Sequence, residues 1–129
     1  MKTLLPYLTL VLVLVALDLV WLGGVAMPLY KRGIGHLMAD QPNFVAAALF
    51  YVLYAVGVQV FVVGRASSWP QAAGLGALFG AVAYLTYDLT NLATLRDWPV
   101  ALSAIDVAWG SLATAIASVC GREVASRLG

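Results

Sequence analysis

Four long apolar stretches take up most of this chain, and they decide which solvent it folds in. They cover about residues 3–26, 43–63, 71–93 and 99–120, and each is close to the roughly 20 apolar residues that carry a helix across the hydrocarbon core of a bilayer. The runs are too long, and too free of period-two alternation, for the strands of a barrel. Inside lipid only helices and closed barrels satisfy every backbone donor and acceptor. The expectation is therefore all-α: a four-span transmembrane helical bundle filling residues 1–129 as a single integral membrane domain.

The borders of the spans carry readable signals. Met27-Pro28 is expected to stop the first helix, with Tyr30-Lys31-Arg32 beyond it as an interfacial aromatic and two charges. Residues 27–42 then form a loop whose Leu29, Ile34, Leu37 and Met38 can lie on the bilayer surface as a short amphipathic turn. Asn43 is a natural N-cap for the second span, and Gly64-Arg65 is its stop. Trp69-Pro70 and Trp98-Pro99 open the third and fourth spans, where a missing N–H costs little.

Charge narrows the function classes. Only 10% of residues are charged and the formal net charge is +1, with no basic run longer than Lys31-Arg32, so nucleic-acid binding is set aside. The lone Cys120 excludes an intrachain disulfide and any multi-cysteine cluster. Lys2, the following apolar run and Gly24-Val25-Ala26 imitate a cleaved secretory signal, but Asp18 interrupts the apolar region, so the segment is expected to stay as the first span. Lys2, Arg65, Arg122 and Arg127 lie on one side of such a bundle and Lys31, Arg32 and Arg96 on the other. That excess places both termini in the cytoplasm, with the protein in the cell inner membrane.

Three acidic residues, Asp18, Asp88 and Asp106, fall inside the spans, where a carboxylate costs about 2.5–3.5 kcal/mol to insert. Measured from the span midpoints, Asp18 and Asp106 lie about 5 Å off centre and Asp88 about 9 Å. Spans 1 and 3 run opposite to span 4, so all three displacements point to the face bearing the first and third loops. This predicts one polar cup. Tyr84, Asp88 and Asn91 share a helix face with the Gly76/Gly80 pair, and Ser103, Asp106 and Gly110 share another. Tyr87 and the indoles Trp21 and Trp109 complete the candidate ligand-binding set. Gly110, Thr114 and Ser118 recur every four residues as a second close-packing seam, whose partner the sequence leaves open.

Span 1 reads Ala16-Leu17-Asp18-Leu19-Val20-Trp21 and span 4 reads Ala104-Ile105-Asp106-Val107-Ala108-Trp109, a faint A-[LI]-D-x-x-W echo on antiparallel helices. No Lys or Arg lies within the expected spans. The carboxyls are then either protonated and hydrogen-bonded to groups such as Tyr84, Tyr87, Asn91, Ser103 or a Trp N–H, or they bind something positive. Interhelical hydrogen bonding alone is the plainer alternative. His36, the one histidine, sits in a loop, so neither bis-histidine haem nor a multi-histidine zinc site is expected, and no metal or other cofactor is assigned.

The segment Tyr87-Asp88-Leu89-Thr90-Asn91-Leu92-Ala93-Thr94-Leu95, followed by Trp98-Pro99, resembles a bacterial membrane-protein family catalogued as domain of unknown function 2177. Asp18 and Trp21, and Asp106, Trp109 and Gly110, match the same pattern. The resemblance implies a four-span membrane protein and transfers no catalytic role.

Three functions compete on the sequence. The first is binding or transport of a proton, a cation or a cationic amphiphile at the Asp-lined pocket. The second is a lipid-modifying membrane enzyme using Asp88 or Asp106 as acid or base, although no nucleophile, cofactor motif or phosphate cradle accompanies them. The third is a structural or assembly subunit. The expected partners are the lipid bilayer and either a second copy of the chain or a larger membrane complex.

Overall fold

The computed structural model describes residues 1–129 and contains helices only. Helix α1 spans Leu4–Trp21, a π-helical turn covers Leu22–Ala26, and α2 continues over Met27–Ile34 into a short 3₁₀ turn at Gly35–Leu37. Helix α3 spans Phe44–Val58 and ends in a second π-helical turn, Gln59–Val63. Helices α4, Trp69–Thr94, and α5, Val100–Leu128, follow. Four of these units are long and apolar enough to cross a membrane: Leu4–Leu37, Phe44–Val63, Trp69–Thr94 and Val100–Leu128.

Two expected boundaries are corrected. The first helix does not stop at Met27-Pro28. A proline inside a helix removes a donor and presses its ring on the carbonyl four residues back, here Gly24. The π turn widens the helix across that carbonyl, and Met27 N–H bonds to Leu22 O instead. Lys31 and Arg32, expected in a loop, are thus exposed residues of a helix. The last helix does not end at Cys120 but runs to Leu128, since Arg122-Glu123-Val124-Ala125-Ser126-Arg127 holds no residue that breaks it.

Other boundaries are as expected. The Asn43 side chain accepts from Ala46 N at 3.1 Å, capping α3. Ser68 caps α4 by accepting from Gln71 N at 3.3 Å, while Gln71 Oε1 accepts from Ser67 N at 2.6 Å, a near relative of the capping box. Arg122 Nη2 donates to Ser67 O at 2.7 Å, tying this loop to the end of α5.

Helix α5 is the hub, packed along α4 and against α1. The two small-residue seams meet each other within the chain. A Cβ added at Gly76 would sit 2.5 Å from Ser118 Oγ, and one at Gly80 would sit 2.7 Å from Thr114 Oγ1 and run into Gly110 O. Across the seam Ser111 Oγ donates to Ala77 O at 2.8 Å. The apolar core collects at the terminal end of the bundle, where Leu10 and Leu14 pack with Ala55, Val58, Val62 and Ala117. The opposite half holds the acidic residues.

Candidate functional site

On α1 the residues Leu10, Leu14 and Asp18 stand at i, i+4 and i+8, so one inward stripe changes from apolar to acidic halfway along the helix. The half-buried Asp18 carboxyl accepts from Trp109 Nε1 of α5 at 2.8 Å and from the Tyr51 hydroxyl of α3. Asp106, buried on α5, accepts from the Tyr30 hydroxyl at 2.7 Å.

Tyr30 reaches Asp106 because of the π turn. Twelve regular helical residues after Asp18, it would stand about 120° away from the Asp18 face; the one extra residue taken up by a π bulge returns it to about 20°. The same turn that accommodates Pro28 therefore supplies Asp106 with its donor.

Asp88 differs from the other two. It is 1% exposed, and neither carboxyl oxygen has a hydrogen-bond donor. The Asp106 carboxyl is its acidic neighbour. Two neighbouring carboxyls in an apolar interior do not both ionise unaided, and a proton or a cation would relieve their repulsion. No basic side chain supplies such a charge: the one ion pair, Arg122 Nη1 to Glu123 Oε1 at 3.5 Å, lies elsewhere.

The two A-[LI]-D-x-x-W segments meet through their tryptophans. The rings of Trp21 and Trp109 stack with centroids 4.6 Å apart and planes 4° from parallel. Trp109 serves the aspartate of the other segment, whereas Trp21 Nε1 is buried near the Tyr30 hydroxyl without a well-formed hydrogen bond. Between Asp18, Asp106 and the stacked indoles lies a cavity of about 150 Å³, lined also by Tyr30, Tyr51, Phe50 and Tyr84.

Of the residues singled out in the sequence, Asp18, Trp21, Tyr84, Asp106 and Trp109 line this cavity, and Asp88 stands behind Asp106. Three lie apart from it. Ser103 accepts from Trp98 Nε1 at 2.9 Å, in a corner made where Asp97 takes a left-handed backbone with φ of 60°. Tyr87 packs edge-on against Trp98 at 5.7 Å and is otherwise exposed. Asn91 sits beside the Tyr87 hydroxyl, one turn along α4. The three aspartates, moreover, are not arranged as the ligands of a single metal ion.

The residues overlooked are Tyr30, Tyr51 and Phe50. Tyr30 was masked by the expected helix stop. For Tyr51 a signal existed: Phe50, Tyr51 and Tyr54 crowd the middle of an apolar span, whereas tyrosine ordinarily gathers at membrane interfaces. A hydroxyl at that depth needs a partner, and Tyr54 finds Thr114 Oγ1 at 2.8 Å as Tyr51 finds Asp18.

No curated protein and no solved structure matches the chain. The family described as "Predicted membrane protein (DUF2177)" does, over residues 3–122, a stretch containing every residue of the cavity and nearly all of the four helical units. A four-helix apolar bundle with acidic residues in its interior, matched from end to end in this way, belongs to that membrane-protein family.

Proposed function

We propose that this protein binds a small positively charged group, a proton or a cationic head, at the carboxyls of Asp18, Asp88 and Asp106, and that this binding is the central step of a transport function. The observation that carries the reading is Asp88: a carboxyl 1% exposed, both oxygens without donors, set against a second carboxyl. Structural glue is arranged differently, because an interhelical hydrogen bond joins a donor to an acceptor and leaves neither empty. An uncompensated carboxyl at this depth is costly, and such residues mark ion and proton pathways.

The cavity bears on what is held. Its volume of about 150 Å³ equals roughly five waters at liquid density, enough for a charged group and too little for a whole drug-sized molecule. The polar groups facing it come from two acids, three phenols and two indoles, with no lysine, arginine or histidine. The Lys and Arg distribution favours both termini in the cytoplasm and residence in the cell inner membrane.

Infrared spectroscopy of the protein in lipid, combined with flux into proteoliposomes, tests the proposal. The wild type should show the carbonyl band of a protonated carboxyl that shifts in heavy water and is lost in Asp88→Asn, and Asp18→Asn and Asp106→Asn should abolish proton-coupled or cation flux while remaining folded. Unchanged flux in both of those variants, or a wild type without the band that also fails to bind any cation, overturns it.

A further inference from the structure

The geometry points to the occupant: the positive group is the head of a membrane-partitioned primary alkylammonium that enters sideways between α3 and α4, an inference that rests on the function proposed above.

The second span meets α4 chiefly through its π turn, and near Tyr54 and Phe79, whose rings lie 5.4 Å apart. Towards the acidic half the two helices part. The gap is a groove of about 380 Å³ lined by Phe50, Ala83, Tyr84 and Tyr87, apolar and open to the lipid side. Phe50 and Tyr84 belong to both the groove and the carboxyl cavity. The two spaces are thus back to back, with an aromatic threshold between them.

Each half of this double space selects one half of a ligand. The groove presents aromatic side chains and a small Ala83, which suit an alkyl chain already dissolved in the bilayer. The threshold is made of aromatic rings, whose π-systems attract cations. Beyond it stand acceptors: the oxygens of Asp18 and Asp106, with Asp88 uncompensated behind them. A primary ammonium brings three donors for these acceptors, whereas a quaternary head brings none and is bulkier. An anionic or neutral amphiphile leaves the Asp88–Asp106 pair as it is.

The test is labelling by dodecylamine carrying a diazirine on its chain, in phosphatidylcholine vesicles containing the full protein, with mass spectrometry of the labelled peptides. Labelling should concentrate on the peptides of Phe50 and of Ala83–Tyr87, and should be competed by dodecylamine but not by dodecanol. Asp18→Asn should weaken competition by about tenfold, the worth of one charge-assisted hydrogen bond. Ala83→Trp, which fills the groove, should remove the labelling while keeping the protonated-carboxyl infrared band; Ala83→Leu serves as a milder version should the larger side chain disturb folding. Labelling spread evenly over lipid-facing helices, equal competition by dodecanol, or full labelling in both groove variants overturns the inference. If the carboxyl band is intact in those cases, only the alkylammonium fails; a wild type with neither the band nor any cation response removes the underlying function as well.

Discussion

The two halves of the bundle use the same helix faces to opposite ends. At the terminal half, the inward stripe of α1 delivers Leu10 and Leu14 to a dry core with Val58, Val62 and Ala117. One turn further the same stripe delivers Asp18. Helix α4 makes the same change: Gly76 and Gly80 press against Ser118 and Thr114, and two turns after Gly80 the stripe reaches Asp88. The first half is organised so that surfaces meet closely, and in lipid that close approach supplies much of the association, since tails are as apolar as leucine. The second half is held open by aromatic rings around carboxyls and leaves the Asp88 carboxyl without a donor; the first half also has unpartnered buried groups, Ser118 Oγ and Gln59 Oε1, but both are uncharged. Close packing and the carboxyl cavity thus occupy different ends of one set of helices.

That division has measurable consequences. The largest loss is expected for Gly80→Val, which drives a branched side chain into the Gly110 carbonyl and Thr114; overpacking against backbone should cost about 3 kcal/mol or prevent folding, read as loss of the folded state in thermal or denaturant unfolding in detergent. Leu14→Ala should cost less, about 1–2 kcal/mol, because lipid offsets the transfer part of the penalty and only the lost packing remains. Asp88→Asn should act in the other direction. Its amide can donate to Asp106 where two carboxyls now face each other, so stability should rise by about 1 kcal/mol while the function proposed for the site is lost. A destabilised Asp88→Asn variant would break the contrast between the halves by making Asp88 a packing residue.

Much of the architecture was legible beforehand. Apolar runs of membrane length, the Asn43 cap and the aromatic-proline starts of the last two spans marked the helices, because in lipid the backbone leaves so few choices. That the three carboxyls gather in one half of the bundle followed from counting along the helices. The cavity's walls did not. Tyr30 arrives through a π turn, which adds one residue and rotates all that follows, and no local pattern reveals where a helix with Gly23, Gly24 and Pro28 will widen rather than stop. Tyr51 and Trp109 converge on Asp18 from α3 and α5, a matter of how helices rotate against their neighbours.

From its own residues, then, the chain determines four membrane-length helices, small-residue seams on two of them, and carboxyls gathered in one half of the bundle, since length, residue size and axial rise act locally along a helix. Tertiary structure alone decided that the seams of α4 and α5 close on each other, that Asp88 faces Asp106 while Asp18 is held by Trp109 and Tyr51, and that α3 and α4 part beside them. Rotation about the helix axis and the pairing of faces depend on every neighbour at once, and a single span encodes neither.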